Sequence, residues 1–318
     1  MKVHTAPQAK PLLPAAVEFL DTLRVQRRMS PHTLVAYRRD LESLAALSDS
    51  ILIDRITAAD IRRFVARLHA GGLSAASLAR RLSAWRSFYR WLGQQRKVAA
   101  NPVVGIRAPK RARRLPKALA PDQAVQLASH ATDGTTLQLR DRAIVELLYS
   151  SGLRLSELVS LDWRHFGAVG NAPASGSWID LESRQATVLG KGSKTRAVPI
   201  GAAAVEALRL WLPARAQIRA VDERALFVSE RGRRIAPRSV QQRLELLGKR
   251  LGLGVRVHPH VLRHSMASHV LQSSGDLRAV QELLGHANIS STQIYTRLDW
   301  QHLAKAYDAA HPRARRKA

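Results

Sequence analysis

Residues 108–121, APKRARRLPKALAP, divide the chain in two. Pro109, Pro116 and Pro121 interrupt any regular element that tries to cross. Lys110, Arg111, Arg113, Arg114 and Lys117 leave little that could be buried. The composition reads as a basic linker over 108–117, separating a helical N-terminal domain (1–107) from a second domain (118–318). A positively charged linker can also lie along a nucleic-acid duplex, which a neutral one does less well.

The first hundred residues carry helix signals. Ser30-Pro31 supplies an N-cap and a first-turn proline for a segment running towards Ala46. Thr57-Ala-Ala-Asp60 resembles a capping box ahead of IRRFVARLHA, and Gly71-Gly72 ends that helix. From Ser74 a longer helix places Leu78, Leu82, Trp85, Tyr89 and Leu92 on one stripe at spacings of four and three, which predicts a core face. Arg80, Arg81, Arg86 and Arg90 lie off the stripe. They are either a solvated face or phosphate contacts.

The second half is mixed. Helical patterns cover Asp141–Ser150 and Arg154–Leu161. Then SWIDL, ATVL and RAVPI form three short runs of β-formers, separated by Glu-Ser-Arg and by Gly190-Lys-Gly-Ser-Lys194. This predicts a small antiparallel sheet with Lys191 in a hairpin turn, and helices again after Gly201. The fold class is therefore mainly α with a small antiparallel sheet in the C-terminal domain.

Charge decides the kind of partner. Fifty-one Lys and Arg oppose 24 Asp and Glu, a formal net charge of +27 over 318 residues. An excess of this size suits a polyanion, because each neutralised phosphate releases condensed counterions. There is no cysteine, which excludes disulfides, thiolate catalysis and zinc ribbons. PLLPAAVEFL is broken by two prolines and Glu18, so it is no signal-peptide core, and no apolar run reaches membrane-spanning length. A soluble, cytoplasmic protein is expected.

Four places carry candidate chemistry. SGLRLSEL (151–158) sets Arg154 and Glu157 three apart after a glycine. GKGSKTR holds Lys191 on a turn. HPHVLRH (258–264) opens a helix at Pro259 with His260 and Arg263 three apart. GHANISSTQIY places His286 after Gly285 and Tyr295 nine residues later. Singly, each also fits a bland role: a surface ion pair, a solvated lysine, a helix-capping histidine.

Together, Arg154, Lys191, His260-x-x-Arg263, His286 and Tyr295 resemble the catalytic set of the tyrosine recombinases, or phage-type integrases. GLRLSELVSLD, GKGSKTRAVPIG, HPHVLRHSMASHVLQSSGDLRAVQELLGHANISSTQIYTRLD and HLAKAYDAAHPRA are similar to the bacterial Xer branch, and the resemblance spans nearly the whole chain. It implies a two-domain DNA clamp, a helical core-binding domain joined to a catalytic domain. The implied reaction is site-specific cutting and rejoining of DNA. Tyr295 is the nucleophile that joins the 3′-phosphate, and the phosphotyrosyl bond stores the broken linkage without ATP. Two arginines, Arg154 and Arg263, suit the developing phosphorane charge. Lys191 is the implied proton donor to the leaving 5′-oxygen. His286 bonds a phosphate oxygen, His260 accepts the tyrosine's proton, and Glu157 matches an acidic position that holds a site histidine.

The resemblance also implies partners: duplex DNA carrying a dif-like site, a second related Xer recombinase in a cyclic two-plus-two tetramer, and a DNA translocase at the division septum. The implied role is conversion of chromosome or plasmid dimers to monomers for segregation. DNA contacts are expected from Arg80, Arg81, Arg86, Arg90, Lys110, Arg111, Arg113 and Arg114. No metal or other cofactor is expected.

The chain departs from the family in HFGAVGNAPASGSW (165–178), which is longer than the usual link before the sheet. Surface extension is expected there, and the Lys191 assignment depends on it. Two rival readings stand beside the recombinase. His258, His260 and His264 cluster, yet Val261 follows His260, so the His-Glu-x-x-His zinc arrangement is absent. A non-catalytic DNA-binding protein would leave Tyr295 and its retinue unexplained.

Overall fold

The computed structural model describes residues 12–49, 51–109, 118–130, 133–190, 195–219 and 221–274, together with Asp276, Val280, Leu283 and Leu284. The chain divides into two compact units, Met1–Arg114 and Leu115–Ala318, each with its own hydrophobic core.

In the first unit, helices α1 (Pro14–Val25), α2 (Pro31–Ser48), α3 (Ala58–Ala70) and α4 (Ala75–Gln94) pack together. Their starts follow local chemistry. Ser30 Oγ accepts the Thr33 amide at 3.3 Å ahead of Pro31. Thr57 and Asp60 form a reciprocal box, each backbone amide donating to the other's side chain, and Ser74 Oγ accepts from Ser77 N. The stripe on α4 is buried as its spacing predicts: Leu78, Leu82, Trp85, Tyr89 and Leu92 all face the core. Each contributes about 1.5–3 kcal/mol by leaving water. Phe19 of α1 closes the cluster against Phe88, with ring centroids 5.4 Å apart.

The second unit begins with α5 (Pro121–Ala128), α6 (Thr136–Ser151) and α7 (Leu155–Ser160). Strands β1 (Trp178–Asp180), β2 (Gln185–Leu189) and β3 (Thr195–Pro199) follow in one antiparallel sheet of that order. Trp178 opposes Thr187, and Leu189 opposes Thr195. Helices α8 (Ala202–Ala216), α9 (Pro237–Arg250) and α10 (Pro259–Ser274) complete the described part. Helix α6 is the centre: Ala143, Val145, Leu147, Leu148 and Tyr149 are wholly buried, and α8 and α10 pack against it. A helix enclosed by its neighbours must be apolar on nearly every side.

The segment before the sheet is exposed over residues 167–174 but pinned at its base. Ser175 Oγ donates to Asp162 Oδ2 at 2.7 Å and accepts from Phe166 N at 3.0 Å. Arg224 lies 5.2 Å over the Phe166 ring and donates to the Pro173 carbonyl. The strands that follow start from a fixed point.

Candidate active site

Helix α6 ends at Gly152, whose left-handed φ of 57° turns the chain and whose amide donates to Leu148 O at 3.1 Å. A residue with a Cβ pays steric strain in this conformation. Two residues on, Arg154 is the N-cap of α7 and not a member of its helical face. Its backbone N–H donates to Glu157 Oε2, and its guanidinium Nη1 to Glu157 Oε1, both at 2.8 Å. A carboxylate in the first turn suits the helix dipole and one of the orphan amides there.

Glu157 takes a second arginine. Arg196 of β3 forks onto it, Nη1 to Oε1 at 2.8 Å and Nη2 to Oε2 at 2.9 Å. Both are almost completely enclosed, with side chains 7% and 2% exposed. Burial alone raises the Glu157 carboxyl, but the Arg196 hydrogen bonds and those from Arg154 outweigh it and hold the group below its ordinary 4.5. Glu157 is therefore a carboxylate.

Arg263, on the second turn of α10, is also buried. Its Nη1 donates to the Gly152 carbonyl and its Nη2 to the Leu284 carbonyl. Burial lowers its guanidinium to about 10, and the positive charge of Arg154 pushes the same way. Arg154 and Arg196 thus bond one carboxylate, while Arg263 is held by two backbone carbonyls close enough to feel the charge of Arg154. A pentacoordinate phosphorane, formed when a phenolate attacks a phosphodiester, is an anion that such forked donors suit.

His260 is exposed on the first turn of α10, three residues before Arg263. Its ring lies 6.2 Å from that of His258. Burial first, then the nearby His260 and Arg256, holds His258 below its ordinary 6.5. Lys191, His286 and Tyr295 lie outside the described residues, as do Lys110, Arg111, Arg113 and Arg114. The structure thus pairs Arg154 with Glu157, ties Arg263 to the Gly152 carbonyl two residues before Arg154, and sets His260 one turn from Arg263.

The arginines of α4 are less free than the sequence suggests. Arg80 and Arg81 both reach Asp40, which is buried in α2, and Arg81 also donates to Ser43 Oγ at 2.6 Å. Burial raises the Asp40 carboxyl although both arginines pull it down. Arg86 donates to the Ile106 carbonyl at 3.0 Å. Arg90 is exposed. Arg80, Arg81 and Arg86 thus all bond within the unit, Arg80 remaining 48% exposed, while Arg90 is exposed.

Arg196 is the residue that sequence reasoning passed over. The signal was present in TRAVP. On a strand, Arg196 shares a face with Val198, and that face is buried. A guanidinium on an apolar face needs a carboxylate, and Glu157 is the one it finds.

Comparison with known proteins bears on the family and the fold. Residues 117–302 match the phage integrase family, and residues 16–96 match the N-terminal SAM-like domain of phage integrases. A tyrosine recombinase XerC of Ralstonia pickettii (strain 12J) is 53% identical over 96% of this chain and 95% of that protein. A tyrosine recombinase XerC of Pseudomonas aeruginosa (strain LESB58) is 50% identical over 94% of this chain and 95% of its own length. Among solved structures, the post-cleavage complex of the XerH site-specific recombinase with a palindromic difH substrate superposes with a TM-score of 0.65. It is 22% identical and covers 92% of this chain and 84% of that one. At that identity the likeness speaks for the fold.

Proposed function

The chain belongs to the phage integrase family of tyrosine recombinases, and on that footing we propose that Tyr295 attacks a DNA phosphodiester and holds the 3′-phosphate as a phosphotyrosine. The observation that supports this reading is the nearness of two guanidinium groups, Arg154 beside Glu157 and Arg263 on the Gly152 carbonyl two residues away, forked donors that suit the non-bridging oxygens of a phosphorane. Arg154 and Arg263 bind the non-bridging oxygens. Lys191 protonates the leaving 5′-oxygen, His286 bonds a phosphate oxygen, and His260 receives the phenol proton. Religation reverses these transfers, so the energy of the broken bond is conserved in the phosphotyrosine.

The biological setting follows the relatives named XerC: conversion of chromosome or plasmid dimers to monomers at dif-type sites before cell division. The partner is a second recombinase of the XerD kind, two copies of each forming a cyclic tetramer on two sites, with a septal DNA translocase as activator. The reaction belongs in the cytoplasm. Among the described residues no helix is long and apolar enough to cross a membrane. Arg80 and Arg90 of α4, together with Lys110, Arg111, Arg113 and Arg114 of the linker, contact the backbone of the duplex. Arg81 and Arg86 support that surface from behind.

Covalent trapping tests the mechanism. Wild type and Tyr295→Phe are incubated with a nicked dif-like duplex, chelator and the partner recombinase, then denatured. A protein–DNA band from wild type alone is the expected result. A band that persists with phenylalanine moves the nucleophile, with Tyr307 next to test. No band from either leaves a DNA-binding protein without strand cleavage.

A further inference from the structure

Arg196 has no role in the reaction outlined above, yet it is the most completely buried of the three arginines around Glu157: its side chain is 7% exposed, against 35% for Arg154. Its position in the hairpin gives it a purpose. Strands β2 and β3 flank the segment that contains Lys191, and both strand ends next to that segment are fastened to α7. On the β2 side, Leu189 N donates to Ser177 Oγ at 3.0 Å, and Ser160 Oγ at the end of α7 donates to the same oxygen at 3.2 Å. On the β3 side, Arg196 forks onto Glu157. The helix fastened at both points is the one capped by Arg154.

We propose that Arg196 is a positioning residue for DNA cleavage. It locks the Glu157 carboxylate so that Arg154 is held at a fixed orientation, and it ties the hairpin bearing Lys191 to that same carboxylate. The physical case is one of degrees of freedom. A carboxylate held by a single arginine can rotate about its last two torsions and carry that arginine with it. A carboxylate gripped by a planar fork on one side and by an amide and a guanidinium on the other cannot. The bidentate geometry needs two parallel N–H groups, which lysine lacks. Glu157 also mediates a shared response: a shift of the hairpin moves Arg196, and through Glu157 it moves Arg154.

This inference rests on the recombinase reading, and its test separates the two. Single-turnover cleavage of the nicked duplex is measured at saturating protein for wild type, Arg196→Gln, Arg196→Lys, Glu157→Gln and the Arg196→Gln/Glu157→Gln double variant. DNA dissociation constants and thermal melting are followed in parallel. If wild type forms no Tyr295-dependent adduct, the recombinase reading itself fails. If wild type cleaves, Arg196→Gln is expected to slow cleavage by about tenfold to a hundredfold, the usual effect of removing the group that orients a site residue. DNA affinity should stay within about twofold, since Arg196 makes no surface contact. Arg196→Lys, which keeps the charge and loses the fork, should recover part of the rate and serves as the test if the glutamine variant does not fold. The double variant should be no slower than Glu157→Gln, because both act through one carboxylate. Wild-type rates in both Arg196 variants would overturn the inference. So would losses that multiply in the double variant, or cleavage and affinity that fall together.

Discussion

Gly152 is the residue on which most of the site turns. It ends α6 in the left-handed region, lets the chain reach Arg154 two positions later, and offers its carbonyl to Arg263. A Cβ there would run into Met266 Cε and crowd Leu284 Cδ2 at 3.3 Å. The methionine end can move, but the backbone strain remains. Gly152→Ala should therefore cost about 1–2 kcal/mol. Urea denaturation reads that loss directly. Cleavage should fall by more than the lost stability explains, since the same carbonyl fixes Arg263. A variant as stable and as active as wild type would show that Arg263 is held in place by something else.

At the scale of elements, α10 matters because it carries both His260 and Arg263. Its far end is anchored by His269, whose Nδ1 meets Tyr149 Oη of α6 at 2.9 Å and whose Nε2 meets the Leu119 carbonyl at 3.0 Å. Ser265 Oγ accepts the Leu119 amide at 2.9 Å, so the chain entering α5 is bound to α10 at two points. The pattern assigns the tautomer: Nε2 carries the proton and donates to the carbonyl, and Nδ1 accepts from the phenol. Tyr149→Phe leaves that nitrogen buried without a donor, at a cost of about 1–3 kcal/mol. Burial holds His269 below its ordinary 6.5, with the Leu119 carbonyl pulling the other way and His264 adding to the fall. The sign follows. As pH drops below 6.5 the unfolded chain takes up a proton before the folded one does, so stability falls until the depressed folded value is passed. Denaturation midpoints measured from neutral pH downward should decline from near 6.5. His269→Asn should lose part of that slope, with His258 supplying the remainder. An unchanged slope would place the titration elsewhere.

For the whole molecule, the governing quantity is the net charge of +27. Exposed arginines are spread over both units, on α4 in the first and on α9, with Arg238, in the second. A clamp that contacts 6–10 phosphates loses about a thousandfold to a hundred-thousandfold in affinity between roughly 50 and 200 mM salt. Fluorescence anisotropy with a labelled duplex measures this. A log–log slope shallower than about −3 would mean contact with only a few phosphates and would count against binding by both units.

Much of this protein is local in origin and so was legible from its residues. Ser30-Pro31, Thr57-x-x-Asp60 and Ser74 start helices because capping is settled within four residues. The α4 stripe declares its core face by period, and the three β runs between turn residues declare a hairpin sheet. The motif residues Arg154, Glu157, His260 and Arg263 were likewise visible, since chemistry restricts residue type. Pairing between distant segments was not. That Arg196 meets Glu157 across 39 positions, that Arg81 and Arg86 are turned inward, and that His269 binds the Leu119 carbonyl 150 residues away all depend on where the chain returns to itself. Sequence spacing sets which residues share a helix or a strand. Only the packed structure decides which charge is buried beside which, because burial is what forces a charge to find its partner.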